Sequence, residues 1–366
     1  MNGQSLKIHP RKILVSAMPY LGDVLLATPL IHSLRTAYPD AQIDVLVYQN
    51  TAAMLQGNPD IHQILTTPSH PTFFENVRLF KKVFRRYDLA MALQTSDRSF
   101  FYTLLAAGTR VNAVPKLHTK TAWKRYFADR WVEFDDEHTH TVLQNLKLLA
   151  TLNIAPRYVL VPPQPGQIEQ LEKSYPFLTD DTRYAVLHVH PQWTYKRWLD
   201  QGWIQLSEYL NSLGLKLVFT GSAAPDEMTY ITAITNKIPF EVINLAGQVS
   251  LAELTPIITR AKLFIGPDTG ITHLAAATGT PVIALYGPTN PVKWAPWPTN
   301  YRKNENPFQK NGSQQVNNVF LIQGEGDCVP CFLEGCDRHR QSRSKCLDFL
   351  TVDQLTSSIQ RALEAR

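Results

Sequence analysis

Cysteine is scarce in this chain. Four occur among 366 residues, all between Cys328 and Cys346. A disulfide framework spread along the fold is excluded. Charge of one sign is not in large excess either. The chain carries 36 Lys+Arg against 31 Asp+Glu, a net of +5, too little to point to nucleic acid as partner. Long apolar runs are missing, and none approaches the roughly 20 residues that a membrane-crossing helix needs. The N-terminus leads straight into a strand without the apolar core of a signal peptide. The expected location is therefore cytoplasmic, where thiols stay reduced. Neither half carries GxGxxG after its first strand, and GxxxxGK followed by Ser or Thr is absent. Those absences argue against dinucleotide binding and against a P-loop NTPase.

What is present is an alternation of short apolar strands with amphipathic helices. The strands expected in the first half are Ile13–Ala17, Ile43–Val47, Ile64-Leu65, Leu89–Leu93 and Val111–Val114. A helical run follows the first strand to about Tyr38, and Pro29 inside it predicts a kink or a late start. Composition shifts around Pro156–Pro165, and the pattern then restarts at Tyr184–Val189. This predicts two doubly wound α/β domains: residues 1–160, a linker at 161–183, and a second domain at 184–347. Residues 298–318 read as a surface loop. Residues 348–366 read as a closing amphipathic helix with Thr351 near its start and Leu355, Ile359 and Leu363 on one face.

The most informative stretch is Leu263–Pro291, LFIGPDTGITHLAAATGTPVIALYGPTNP. It reads as strand, Gly-containing turn, slim helix and strand. The first N–H groups of a helix lack partners and carry the positive end of its dipole, so an anion such as phosphate belongs over Thr269-Gly270.

Several segments together resemble bacterial family 9 glycosyltransferases, which are ADP-heptose:lipopolysaccharide heptosyltransferases. They are MPYLGDVLLATP (18–29), HVHPQWTYKRW (188–198), FTGS (219–222), GPDTGITH (266–273) and PVIALYGP (281–288). The CVPCFLEGC segment is most similar to the heptosyltransferase III type. The resemblance implies a GT-B arrangement, two Rossmann-like domains facing a cleft. It implies ADP-heptose as donor, the lipopolysaccharide inner core as acceptor, and catalysis that requires no cofactor.

Asp23 reads either as a helix N-cap or as the general base that a sugar hydroxyl needs; the resemblance implies the base. Lys196 reads as a solvated cation or as the charge that stabilises a departing diphosphate. The resemblance makes it donor-binding, with Arg197 the fallback if the register is off by one. Asp268, Thr269 and Gly270 could be a capped turn alone. The resemblance gives Thr269 and Gly270 the phosphate and Asp268 the heptose hydroxyls. Thr220 and Gly221 are expected on the adenosine side through their backbone atoms, with His273 supporting the turn. No ribose-binding acid is evident near Ala246-Gly247-Gln248.

Two basic stretches, Arg78–Arg86 and Arg110–Arg130, are solvated faces or an acceptor site. Lys81, Lys82, Arg85, Arg86 and Arg110 are the expected acceptor contacts. Neighbouring aromatics suit a peripheral contact with the cytoplasmic face of the inner membrane. Cys328, Cys331, Cys336 and Cys346, spaced C-x2-C-x4-C-x9-C, are compatible with a structural zinc or with packed reduced thiols. Other readings are a transferase with a different nucleotide sugar, a nucleotide-sugar epimerase, and a non-catalytic zinc-linked binding module.

Overall fold

The computed structural model describes residues 6–18, 20–117 and 119–364. Residues 1–5 of the expected first domain lie outside the described residues. So do Pro19 of the 18–29 segment, and Ala365 and Arg366 of the expected closing helix. The chain divides into two compact units. Unit 1 is Met1–Pro163 with Arg302–Asn306, and unit 2 is Gln164–Tyr301 with Pro307–Arg366.

Unit 1 holds six parallel strands: β1 (Lys12–Ser16), β2 (Gln42–Tyr48), β3 (Gln63–Thr67), β4 (Tyr87–Ala92), β5 (Ala107–Val114) and β6 (Arg130–Glu133). Their spatial order is β3-β2-β1-β4-β5-β6. The helical run after β1 breaks as Pro29 demands. Helix α1 (Leu21–Leu26) ends at Ala27, and α2 (Thr28–Ala37) restarts with the proline in its first turn, where no N–H is needed. Helices α3 (Phe73–Val83) and α4 (Asp97–Ala106) cover the other face, because right-handed crossovers reverse side when the strand order reverses. Leu79, Val83, Tyr102 and Ala106 pack there on Leu14, Leu46 and Ala90. Thr72 and Glu75 close a reciprocal capping box at the start of α3. A short 3-10 helix, Ala122–Phe127, and α5 (Thr141–Leu146) complete the unit. Arg302–Asn306 joins it through Asn306, which accepts from His140 N at 2.9 Å and donates to His138 O at 2.8 Å.

Unit 2 opens with α6 (Ile168–Ser174), inside the segment expected to be a linker. Its strands are β7 (Tyr184–His188), β8 (Lys216–Thr220), β9 (Ile243–Asn244), β10 (Leu263–Pro267), β11 (Val282–Tyr286), β12 (Gln314–Val316) and β13 (Val319–Gln323). The order is β12-β13-β11-β10-β7-β8-β9, parallel except for the hairpin of β12 and β13. The expected loop at 298–318 thus contains an edge strand. Central strands β7, β10, β11 and β13 are buried at every position, as parallel strands sandwiched by helices must be. The helices are α7 (Asp200–Ser212), α8 (Pro225–Thr235), α9 (Leu251–Arg260), α10 (Gly270–Ala277), α11 (Pro291–Trp294), α12 (Lys345–Asp348) and α13 (Asp353–Glu364). Closing helix α13 starts later than residue 348, and Leu355, Ile359 and Ala362 join the core of Leu187, Phe219, Ile283 and Ile322.

Candidate active site

Each sheet reverses its winding once, in unit 1 between β1 and β4, in unit 2 between β7 and β10. In open α/β sheets the crevice beyond the strands' carboxyl ends at that point takes the ligand. In unit 2 the segments leaving β7 and β10 carry Lys196 and Asp268. The Lys196 ammonium pairs with Asp268 Oδ2 at 2.6 Å, both side chains largely buried. Burial alone would raise the Asp268 carboxyl. Lys196 outweighs it, and the carboxyl lies below its ordinary value. The Tyr286 hydroxyl donates to Trp294 O at 2.7 Å and stands 3.3 Å from Asp268 Oδ1. Burial, with Asp268 adding to it, pushes that phenol well above its usual range.

Beside the pair, α10 begins. Thr269 is its N-cap, accepting from Thr272 N at 3.3 Å, and Thr272 Oγ1 donates to Pro267 O at 2.5 Å. The Thr269 hydroxyl is thus engaged in the cap, which leaves backbone N–H as the means of holding an anion. His273 follows one turn later, buried, its Nδ1 without a hydrogen-bond partner among the described residues. Desolvation drops its pKa to about 4, against the pull of Asp268, so the ring is neutral.

Arg197 turns elsewhere. Its guanidinium meets His190 Nε2 and lies 4.8 Å from the Tyr230 ring centroid, while Tyr230 OH donates to Asp200 at 2.8 Å. Lys196, not Arg197, is the cation at the Asp268 turn. His188 is buried with Nδ1 3.2 Å from Thr220 O, and desolvation lowers its pKa. Trp198 is core, stacked edge-on to Trp203 and donating to Leu350 O at 2.8 Å.

In unit 1, Asp23 sits in the first turn of α1, just past β1 at the reversal point, and is mostly buried. The N-cap is Tyr20, so capping is not what places an acid here. Met18 N donates to Gln94 Oε1 at 3.1 Å and so ties the β1 and β4 exits together.

The sequence matches glycosyltransferase family 9 (heptosyltransferase) over residues 76–321. The chain belongs to glycosyltransferase family 9. It is 29% identical over 294 residues to lipopolysaccharide heptosyltransferase 3 of Escherichia coli (strain K12), covering 77% of this chain and 84% of that one. The fold resembles a family 9 glycosyl transferase from Veillonella parvula, with a TM-score of 0.78, 18% identity and 99% of both chains covered. It also resembles the E. coli heptosyltransferase WaaC solved with ADP, with a TM-score of 0.69, 20% identity, and 96% and 99% of the two chains covered. The fold is thus GT-B, with two Rossmann-like units.

Within this family 9 enzyme, Thr220 and Gly221 lie where β8 ends. Thr220 is buried, its hydroxyl 3.5 Å from Leu187 O and 3.3 Å from His188 Nδ1, so it clamps β8 to β7. Gly221 next to it is partly exposed, and a Cβ there would lie 2.3 Å from Ile231 Cδ1 and 2.9 Å from Glu227 Oε1. That closeness brings in a residue the sequence reading missed. Glu227, in the first turn of α8, meets the Ser222 hydroxyl at the carboxyl end of β8. The missed signal is an acid following the unit's second strand, the usual place of a ribose-binding acid in such folds.

The basic residues fall elsewhere in unit 1. Lys81 and Lys82 end α3, and Arg85 and Arg86 form the turn into β4. A crossover helix after a strand runs back to the amino edge of the sheet. These four therefore lie at the edge of the sheet opposite Asp23. Arg110 is held by Asp129, with Nε to Oδ2 at 3.3 Å.

The four cysteines are free thiols, Cys328 and Cys336 exposed and Cys346 buried. Among the described residues no group of three or more His, Cys, Asp or Glu is placed to hold a metal ion. Their segment instead braces the Lys196 loop. Ser344 Oγ donates to Tyr195 O at 2.6 Å, Thr194 N to Arg340 O at 3.0 Å, and Arg340 stacks on Trp193 at 4.3 Å. Gly335, at φ +82°, passes so close that a Cβ would lie 2.9 Å from Tyr195 Cβ.

Proposed function

We propose that this enzyme transfers heptose from ADP-heptose to the inner core of lipopolysaccharide, with inversion at the anomeric carbon. The observation that carries the reading is the grouping of Lys196, Asp268 and the start of α10 at the unit 2 reversal point. The N–H groups at Thr269-Gly270 take the diphosphate. Lys196, oriented by Asp268, meets the charge that grows on departing ADP. These groups supply the positive charge themselves, so the reading needs no catalytic cofactor. Asp268 faces a heptose hydroxyl, since a carboxylate repels phosphate. Neutral His273 offers Nδ1 to the donor, and Glu227 receives the ribose hydroxyls. Asp23 removes the proton from the acceptor hydroxyl as that oxygen attacks opposite the diphosphate. The named relative supports the substrates: a lipopolysaccharide heptosyltransferase aligned over most of the chain.

The test is turnover of ADP-heptose with defined truncated lipopolysaccharides. Asp23→Asn keeps the shape and loses the base, so kcat should fall about a hundredfold or more. Near wild-type turnover by Asp23→Asn would remove Asp23 from the mechanism.

A further inference from the structure

Lys196 and Arg197 are neighbours in the chain and part company in space. Lys196 reaches Asp268 at the exit of β10. Arg197 reaches back to the segment that leaves β7, where its guanidinium meets His190 Nε2. It also lies against α8, 4.8 Å from the Tyr230 ring centroid. The His190 and Tyr230 rings stand 5.2 Å apart, and the Tyr230 hydroxyl donates to Asp200 Oδ1, in the first turn of α7, at 2.8 Å. Tyr230 follows Glu227 by one turn of α8, and Glu227 meets Ser222 beside Gly221. One cluster thus joins the exits of β7 and β8 to the starts of α7 and α8.

A guanidinium is costly in so confined a place. No carboxylate pairs with it among the described residues, and its Nε is buried there without a hydrogen-bond partner. Its acceptor is a neutral ring, since burial first and Arg197 next lower the pKa of His190. An apolar side chain would pack on Tyr230 at less cost, as Trp198 packs on Trp203 next door. What the guanidinium adds is direction. Its planar fork, held at the face by a ring and at the edge by a nitrogen, keeps little freedom. The turn beside it needs such a hold. Residues 194–196 make one 3-10 turn, too short to fix a long side chain by itself, and the backbone at Arg197 is already extended.

We propose that Arg197 is a positioning residue of the donor site. Pinned between His190 and Tyr230, it aims Lys196 at the diphosphate and sets that cation in register with the helix that carries Glu227. The proposal rests on the reading of Lys196 as the diphosphate cation, and it gives Arg197 a role that acts through its neighbour.

Calorimetry on the full chain, with ADP and with adenosine, tests it. Arg197→Met keeps the length of the stem and loses the fork, and should weaken ADP by about fivefold or more. Adenosine lacks the diphosphate, so its affinity should stay within about twofold. In a Lys196→Ala background the same Arg197→Met change should cost ADP less than about twofold, because the cation it aims is gone. His190→Phe keeps a ring against Tyr230 and removes the accepting nitrogen, and should reproduce the ADP loss. Arg197→Lys keeps a cation over Tyr230 and should recover part of it. Full ADP affinity in Arg197→Met and His190→Phe overturns the proposal. An equal loss on adenosine does so too, and would make Arg197 a prop of the fold. So do losses that multiply in the double variant, which would mean that Arg197 touches the nucleotide itself. Unchanged ADP affinity in Lys196→Ala would sink the diphosphate reading along with the proposal, whereas a loss in Lys196→Ala but not in Arg197→Met would leave that reading standing and remove Arg197 alone.

Discussion

At the scale of single residues, the site depends on charges kept out of water. An unpaired buried carboxylate would take up a proton; Asp268 stays ionised because Lys196 lies against it. In the proposed mechanism the pair holds an ammonium in place until a diphosphate arrives. His273 makes the opposite adjustment and gives up its charge. Its folded pKa of about 4 is below the roughly 6.5 of an unfolded histidine. Between those values the unfolded chain binds a proton that the native ring refuses. Stability is fully present above pH 6.5 and is lost as pH falls toward 4. His188 and His190, lowered chiefly by burial, act in the same sense. Urea unfolding should thus show lower stability at pH 5 than at pH 7. His273→Gln should shrink that drop by about 2 kcal/mol. An undiminished drop would mean that His273 protonates freely in the native state.

At the scale of elements, the notable relation is between the cysteine segment and the Lys196 loop. Residues 194–196 form a single short turn with little burial of its own. Such a turn holds its lysine only if something braces it, and Ser344, Arg340 and Gly335 do. Removing the Ser344 hydroxyl takes one hydrogen bond from the Tyr195 carbonyl, about 1 kcal/mol. Ser344→Ala should therefore raise KM for ADP-heptose severalfold while leaving overall folding intact, and Ser344→Thr should recover part of it. An unchanged KM would show the turn to be rigid without its brace. Much of the element pattern was readable from the chain. Pro29 marked the restart of a helix, and the turn before α10 was located, although β10 runs on through Gly266 and Pro267 and α10 already begins at Gly270. Strands β6, β12 and β13 were missed. Arg130–Glu133 is four residues with charges at both ends, and β12 is a polar edge strand, so neither shows the apolar run by which a buried strand is recognised.

At the scale of the molecule, the proposed function divides the labour between the two units. Lys196, Asp268, α10 and Glu227 all belong to unit 2, and Asp23 to unit 1. Calorimetric ADP binding should separate them. Lys196→Ala, which loses a charge-assisted contact to phosphate, should weaken ADP by about tenfold or more. Asp23→Asn should leave ADP affinity within about twofold, since a base for the acceptor has no contact with the nucleotide. Comparable losses in both would contradict the division.

Local chemistry in the chain was enough for the α/β class, for two doubly wound units and for a helix start capped at Thr269. Strand hydrophobicity, helix periodicity, proline and a capping threonine all act within a few residues. The strand orders, which place Asp23 and the Lys196–Asp268 pair at reversal points, came only from the folded chain. So did the separation of Lys81–Arg86 from Asp23, the turning of Thr220 into the core, and Glu227. Each of these depends on which strand lies beside which and on where a crossover helix ends. Such relations are set by packing between residues far apart in the sequence, and no nearest-neighbour preference encodes them.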